Sequence, residues 1–221
     1  MEYFKPIDAF FKDRNWIVNL LWLALYTLTV IGGLAVTGYV IRIVKRVREG
    51  VEELPDAFGS FDNFCDLWMD GLRFFISTLI YTVPIFAVGC FSGALFTAWA
   101  VKSSSGSADD ALGVGVLAGI MIALGVMFLL SLLLSTISPA LFIMASEDEG
   151  WGFAFNFPRL KDLICADIAT YALLCLAVFG YLFIFGMCGN FIPFVGSLLF
   201  TPLAQICMGH LCGQYARTMA G

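Results

Sequence analysis

FFISTLIYTVPIFAVGCFSGALFTAWAV, residues Phe74–Val101, contains no Asp, Glu, Lys or Arg. A helix needs about 20 apolar residues to cross a hydrocarbon core about 30 Å thick, and this stretch exceeds that length. Three more blocks share the property: Asn15–Ile41, Ala111–Ser146 and Ile168–Ala216. All 17 acids and all 12 Lys and Arg lie outside these blocks. Such exclusion follows from a cost of about 2.5 kcal/mol or more for an ionised side chain at the bilayer centre. Lipid offers the backbone no hydrogen-bond partner, so apolar blocks of this length cross it as helices. The chain therefore reads as all-α, a polytopic membrane helix bundle.

The bulk numbers agree. At 60% hydrophobic and 13% charged over 221 residues, the chain is far from a soluble domain, where charge runs near about 25%. Little is left for a separate soluble domain, so one membrane-embedded domain over residues 1–221 is expected. The net charge of −5 says little about partners, because the charges are segregated. Cys65, Cys90, Cys165, Cys175, Cys188, Cys207 and Cys212 form no C-x-x-C pair. They read as reduced thiols acting as small hydrophobes.

Working outward, spans are expected at about 16–40, 75–99, 112–144, 163–187 and 194–215. Interfacial amphipathic helices are expected at about 3–13 and 58–72. The first rests on Phe4, Ile7, Phe10 and Phe11 at helical spacing, in a segment too acidic for a signal peptide. The second rests on Phe58, Phe61, Phe64, Cys65 and Trp68 on one face, with Asp62, Asp66 and Asp70 on another. It would be an elbow into the next span, or a surface that docks lipid or a partner. Between them Arg42, Lys45, Arg46 and Arg48 can snorkel to anionic headgroups, each contributing about 1 kcal/mol. Pro84 is expected to kink its span, and Pro139 to break the long third block. Trp151, Phe153, Phe155 and Phe157 read as a further interfacial segment.

Orientation follows from Lys and Arg placement. Five crossings put the N-terminus outside, with eight basic residues inside and four outside. A re-entrant first block turning at Gly32-Gly33 would bring the N-terminus inside and make the count eleven to one. Both arrangements put residues 42–73, 146–162 and the C-terminus in the cytoplasm.

No G-x-S-x-G, H-E-x-x-H or P-loop pattern occurs, and no span carries a carboxylate pair, so no enzyme is indicated. Cys207 and His210 lie one turn apart and are weak candidates for a soft-metal site. They do not share a helix face with Cys212, and no metal or other cofactor is expected. Gln205, Gly115-x-x-x-Gly119 and Gly209-x-x-x-Gly213 read as helix-packing features. Ser131, Ser135, Thr136 and Ser138 could instead line a pore.

Several segments together resemble the prokaryotic multi-pass membrane proteins named domain of unknown function 4013. They are GYVIRIVKRVREGVEELPDAF (residues 38–58), DLWMDGLR (66–73), GFAFNFPRLKDLI (152–164) and the ending IPFVGSLLFTPLAQ with GHLCGQYAR. The resemblance covers about Trp16 to Arg217. It implies a prokaryotic cytoplasmic (inner) membrane and brings no activity, substrate or catalytic residue. The expected function is a non-enzymatic membrane protein acting by association, as a homo-oligomer or accessory subunit. Membrane lipids and other membrane chains would be its partners, not nucleic acid. The alternative is a channel or carrier for a small neutral or lipidic solute.

Overall fold

The uncharged blocks are helical, and residues with specific capping chemistry set where the helices stop. The computed structural model describes residues 2–51, 53–57, 60–103, 108–148, 150–191 and 195–220. The helices are α1 (Lys5–Lys12), α2 (Trp16–Thr27), α3 (Val30–Arg48), α4 (Phe61–Ser103), α5 (Ala108–Glu147), α6 (Phe157–Cys165), α7 (Ile168–Phe191) and α8 (Val195–Ala220). A 3-10 turn occupies Phe153–Phe155, and among the described residues there is no strand. Among the described residues four stretches are long and apolar enough to cross a membrane: Phe61–Ala98, Leu117–Glu147, Ile168–Phe191 and Val195–Met219. Trp16–Thr27 is a shorter apolar helix beside them.

The expected single helix over 16–40 is two helices, parted at Leu28 and Thr29. Thr29 takes extended backbone (φ −123°, ψ 147°), and its side chain accepts from the Gly32 amide. This N-cap satisfies a donor that a fresh helix start would otherwise leave bare. A Cβ at Gly32 would strike the carbonyl of Tyr26. That glycine therefore permits a close return past α2, while the threonine makes the turn.

The expected elbow between 58–72 and 75–99 is absent: α4 is one helix from Phe61 to Ser103, running through Pro84. A change from charged to apolar side chains needs no break in the backbone when the charges find partners. Phe58 lies outside the described residues. Pro139 does not break α5 either. It removes one backbone hydrogen bond, whereas every residue from Ala140 to Ala145 is buried, and that packing holds the last turns. The expected span 163–187 starts later, at Ile168, because α6 ends at Cys165. The Asp167 carboxylate accepts from the Thr170 amide at 3.1 Å and from its hydroxyl. Those bonds, the hydroxyl's first, hold the Asp167 carboxyl below its ordinary range.

By packing the chain falls into two units, residues 1–77 with 139–221 and residues 78–138. In the first, Leu23, Tyr26, Val36, Tyr39, Ile43, Leu67 and Ile206 form a core. Glycines let its helices cross backbone to backbone. A Cβ at Gly38 would collide with the Leu67 carbonyl, and one at Gly71 with the Leu34 carbonyl. In lipid, where apolar side chains gain little by leaving their solvent, such close approach is the main source of helix association.

The second unit is a helical hairpin made by the later part of α4 and the earlier part of α5. Gly89 faces Met127, Gly93 faces Ala123 and Gly119 faces Thr97. Four of its hydroxyls bond to their own helix: Ser92 to Gly89 O at 2.9 Å, Thr97 to Gly93 O at 2.9 Å, Ser135 to Leu132 O at 2.7 Å and Thr136 to Leu133 O at 2.7 Å. Phe86, Phe91, Leu124, Phe128 and Leu129 are exposed.

Candidate functional site

The chemistry of this chain gathers in the first unit, where the charged end of α3 meets the start of α4 and the end of α5. The α3 helix closes in a Schellman motif: Val51 N–H donates to Arg46 O at 2.9 Å and Gly50 N–H to Val47 O at 3.1 Å. Gly50 has φ +85°, a left-handed conformation for which glycine carries no Cβ penalty. The basic side chains at this helix end favour its negative dipole pole.

The segment after Gly50 is tied down by groups from inside the first apolar block. The Tyr39 hydroxyl donates to Pro55 O at 2.8 Å. The Ala57 amide donates to Asn19 Oδ1 at 3.0 Å, and Asn19 Nδ2 donates to Asp13 at 3.1 Å. Arg46 donates to the carbonyls of Glu53 and Leu54 at 3.3 and 3.2 Å. Asn19 is buried, at 3% exposure. The sequence reading missed Asn19 and Tyr39, and also Tyr26, whose hydroxyl donates to Ala57 O at 3.5 Å; a polar atom inside an apolar block was the available signal.

Arg42 stands at the centre of the charged cluster. Its Nη1 donates to Asn63 Oδ1 at 2.5 Å, its Nε lies 3.5 Å from Asp70 and its Nη2 lies 3.9 Å from Asp66. Arg73, one turn beyond Asp70 on α4, donates to Ala145 O at 3.1 Å and lies 3.9 Å from Asp70. Its side chain is only 8% exposed. Arg42, Asp66, Asp70, Arg73 and Ala145, with Lys45, Ser146 and Trp151, line a cavity of about 540 Å³. A second, larger cleft of about 970 Å³ lies between α1 and the segment after α3, and mixes Lys5, Lys12, Arg14 and Arg46 with Asp8, Asp13 and Asp56.

Arg48 belongs to a neighbouring pair of ion contacts. It lies 3.9 Å from Glu147, whose carboxylate receives Arg159 Nε and Nη2 at 3.0 and 2.6 Å. This two-pronged contact raises the Arg159 guanidinium above its ordinary pKa. Thus Arg42, Arg46 and Arg48, expected to reach for headgroups, each contact groups of the protein. Lys45 lines the cavity.

The interfacial aromatics divide. Phe61, Trp151 and Phe155 are exposed, as an interface requires. Phe64 and Trp68 pack partly buried against the core, with Phe64 5.1 Å from Tyr26. Phe153 is 2% exposed and stacks on Phe74, centroids 6.1 Å apart. It belongs to the interior and not to the interface. Apolar side chains look alike to a periodicity argument whether lipid or protein covers them.

Gly209 faces Val40, with the nearest atom 3.0 Å from its ideal Cβ, and Gly213 faces Val47 at 2.6 Å. Both are thus turned onto α3 of the same chain, and Gly119 is turned onto Thr97. Gly115 is helical, but its surroundings lie outside the described residues. Gln205 is half-buried, and its Oε1 has no hydrogen-bond partner among the described residues. His210 is buried and meets Gln214 through Nδ1 at 3.1 Å. Gln214 also holds the chain start, accepting from the Glu2 amide at 3.0 Å and donating to Glu2 O at 3.3 Å. Cys207 is buried. Among the described residues no group of three or more His, Cys, Asp and Glu is placed to hold a metal.

The motifs that carried the family resemblance converge on these contacts. Gly38 and Tyr39 of the first meet α4 and Pro55, Asp70 and Gly71 of the second meet Arg42 and Leu34, and Tyr215 of the ending donates to Leu163 O at 2.7 Å. The family described as "Protein of unknown function (DUF4013)" matches residues 21–194. No curated protein and no solved structure matches.

Proposed function

Since this chain belongs to the DUF4013 family of proteins of unknown function, we propose that it is a non-enzymatic integral membrane protein acting by association. It would be a homo-oligomer or an accessory subunit of a larger membrane complex. The observation that carries this reading is the hairpin of residues 78–138. It presents large exposed apolar side chains, Phe86, Phe91, Leu124, Phe128 and Leu129 among them. Its hydroxyls at Ser92, Thr97, Ser135 and Thr136 are bonded to their own helix. That surface suits lipid or an apolar neighbouring helix better than a polar solute, which weighs against a pore along Ser131–Ser138. Gly119, Gly209 and Gly213 meet groups of the same chain, so association would use the large residues instead.

The orientation that fits best is four crossings, α4, α5, α7 and α8, with α2 and α3 forming a re-entrant pair. Glu2 bonds to Gln214 near the end of α8, which favours both chain ends on one side. By the distribution of Lys and Arg that side is the cytoplasm, in the inner membrane of a prokaryote.

The test is the native mass of the complex extracted gently from its own membrane, with every co-purifying chain identified. A species of fixed stoichiometry, dispersed by Leu124→Ala with Phe128→Ala, is the expected result. A monomer alone would overturn the reading, and solute flux in liposomes would then test for a channel or carrier of a small neutral or lipidic solute.

A further inference from the structure

We propose that Gly125 is the point at which α5 crosses α5 of a second copy of this chain. The inference rests on the association reading and names both the partner and the contact.

The glycines of the hairpin are not alike. A Cβ at Gly89, Gly93 or Gly119 would meet Met127, Ala123 or Thr97, so each makes room for its own chain. At Gly125 nothing among the described residues lies within 4 Å of that position. Glycine weakens a helix relative to alanine, and here no contact inside the chain uses the space. Fluid acyl chains cover a full side chain as readily as a notch, so lipid gains nothing from it. A helix from outside does gain, because association in a bilayer depends on close packing where small residues let backbones approach.

The surroundings of the notch fit a copy of themselves. At about 100° per residue, Leu117, Met121, Phe128, Leu129, Leu132 and Leu133 all lie within about 80° of Gly125 around the helix. Their exposure runs from 46% at Leu132 to 68% at Leu117 and Phe128. Met121 and Leu129 stand one turn to either side of the glycine, with Phe128 beside Leu129. Where two parallel α5 helices cross at Gly125, these side chains flank the partner's notch, and the partner's flank this one. That reciprocity is the isologous contact of a two-fold dimer. Copies inserted in one orientation have the axis along the membrane normal, which puts both glycines at one depth. No charged side chain lies between Ala111 and Ser146 to oppose the contact.

The area suffices. The face runs about 24 Å from Leu117 to Leu133 at about 1.5 Å per residue. Six large side chains exposing roughly 100 Å² each supply roughly 600 Å² per copy. Counted over two copies that reaches the lower bound of about 1,200 Å² for a specific interface. The α5 helix also has this surface to offer. Its most apolar stretch is 6% buried, against 22% for α7 and 56% for α8. Gly180 and Gly186 of α7 are open as well, but α7 already packs along α8.

The test uses the full chain in neutral detergent, its mass followed by sedimentation equilibrium over a dilution series. The expected result is a monomer–dimer equilibrium whose Kd rises at least about tenfold in Gly125→Leu. The Tm of that monomer should not fall, because nothing in the chain meets the new side chain. Gly180→Leu should leave Kd unchanged. In native membranes under mild oxidation, Gly125→Cys should give a disulfide-linked dimer above the background of the unsubstituted chain. Ile120→Cys should not, since Ile120 is 51% exposed but lies about 140° away around the helix. The cross-link decides the matter if Gly125→Leu does not fold. An unchanged Kd in Gly125→Leu, an equal loss in Gly180→Leu, or equal linkage at Ile120→Cys would overturn the proposal. A complex of one copy with a different protein would also overturn it, while leaving the association reading standing. A monomer alone would end both.

Discussion

Glycine does different work in the two packing units. At residues 38 and 71 it removes side chains so that α3 and α4 can cross with a carbonyl of each helix where the other's Cβ would stand. In the hairpin of residues 78–138, Gly89 and Gly119 receive the side chains Met127 and Thr97. A backbone cannot move aside without moving its helix, whereas a methionine has three rotatable bonds and can. Charge differs in the same way. The first unit holds the ion contacts of Arg42, Arg48, Arg73 and Arg159, while residues 78–101 and 111–138 carry no charged side chain at all. The same residue type therefore marks a fixed crossing in one place and an adjustable contact in the other.

The sharpest way to break this comparison is at Gly71. Leucine there should abolish monodisperse folded protein, because it meets the Leu34 carbonyl directly. Alanine should lower stability by about 1–3 kcal/mol, as overpacking does, read as a fall in Tm in detergent. A smaller effect is expected at Glu147, which serves both Arg48 and Arg159. Glu147→Gln should cost about 1 kcal/mol at low salt and less at high salt. A double-mutant cycle with Arg159→Gln would isolate the pair, and a coupling near zero would show that the contact adds nothing to stability. The smallest effect belongs to Gly89→Ala. Met127 can shift, and alanine favours the helix by roughly 0.5–1 kcal/mol over glycine, so Tm should stay level or rise slightly. Equal losses at Gly71→Ala and Gly89→Ala would end the distinction between the two units.

Much of the helix content was legible because its causes are local. Charge exclusion marks the four blocks, and Asp167 with Thr170 marks the start of α7 in a way that capping chemistry alone could have supplied. The break at Thr29 carried the same kind of signal, a threonine three residues before Gly32, but the strong hydropathy of Trp16–Val40 masked it. Phe153 could not be told from Trp151 and Phe155, since alternation is blind to which of three aromatics turns inward. The cluster around Arg42 was legible as two stripes, one basic and one acidic. Their meeting was not, because residues 42 and 66 are brought together only by the return of the chain through Pro55 and Ala57.

By itself, the sequence determined that this is a helical membrane protein and where charge ends along each helix. It also determined the kinship to a family of unknown function. Those properties depend on single residues and their solvent. Only the tertiary structure decided that Gly209 and Gly213 pack on α3 of the same chain, that Phe153 is core and that Arg42 and Arg73 share Asp70. The reason is that lipid and protein interior are equally apolar to a side chain. Hydropathy thus fixes that a face is covered, and only the packing of one helix on another fixes by what.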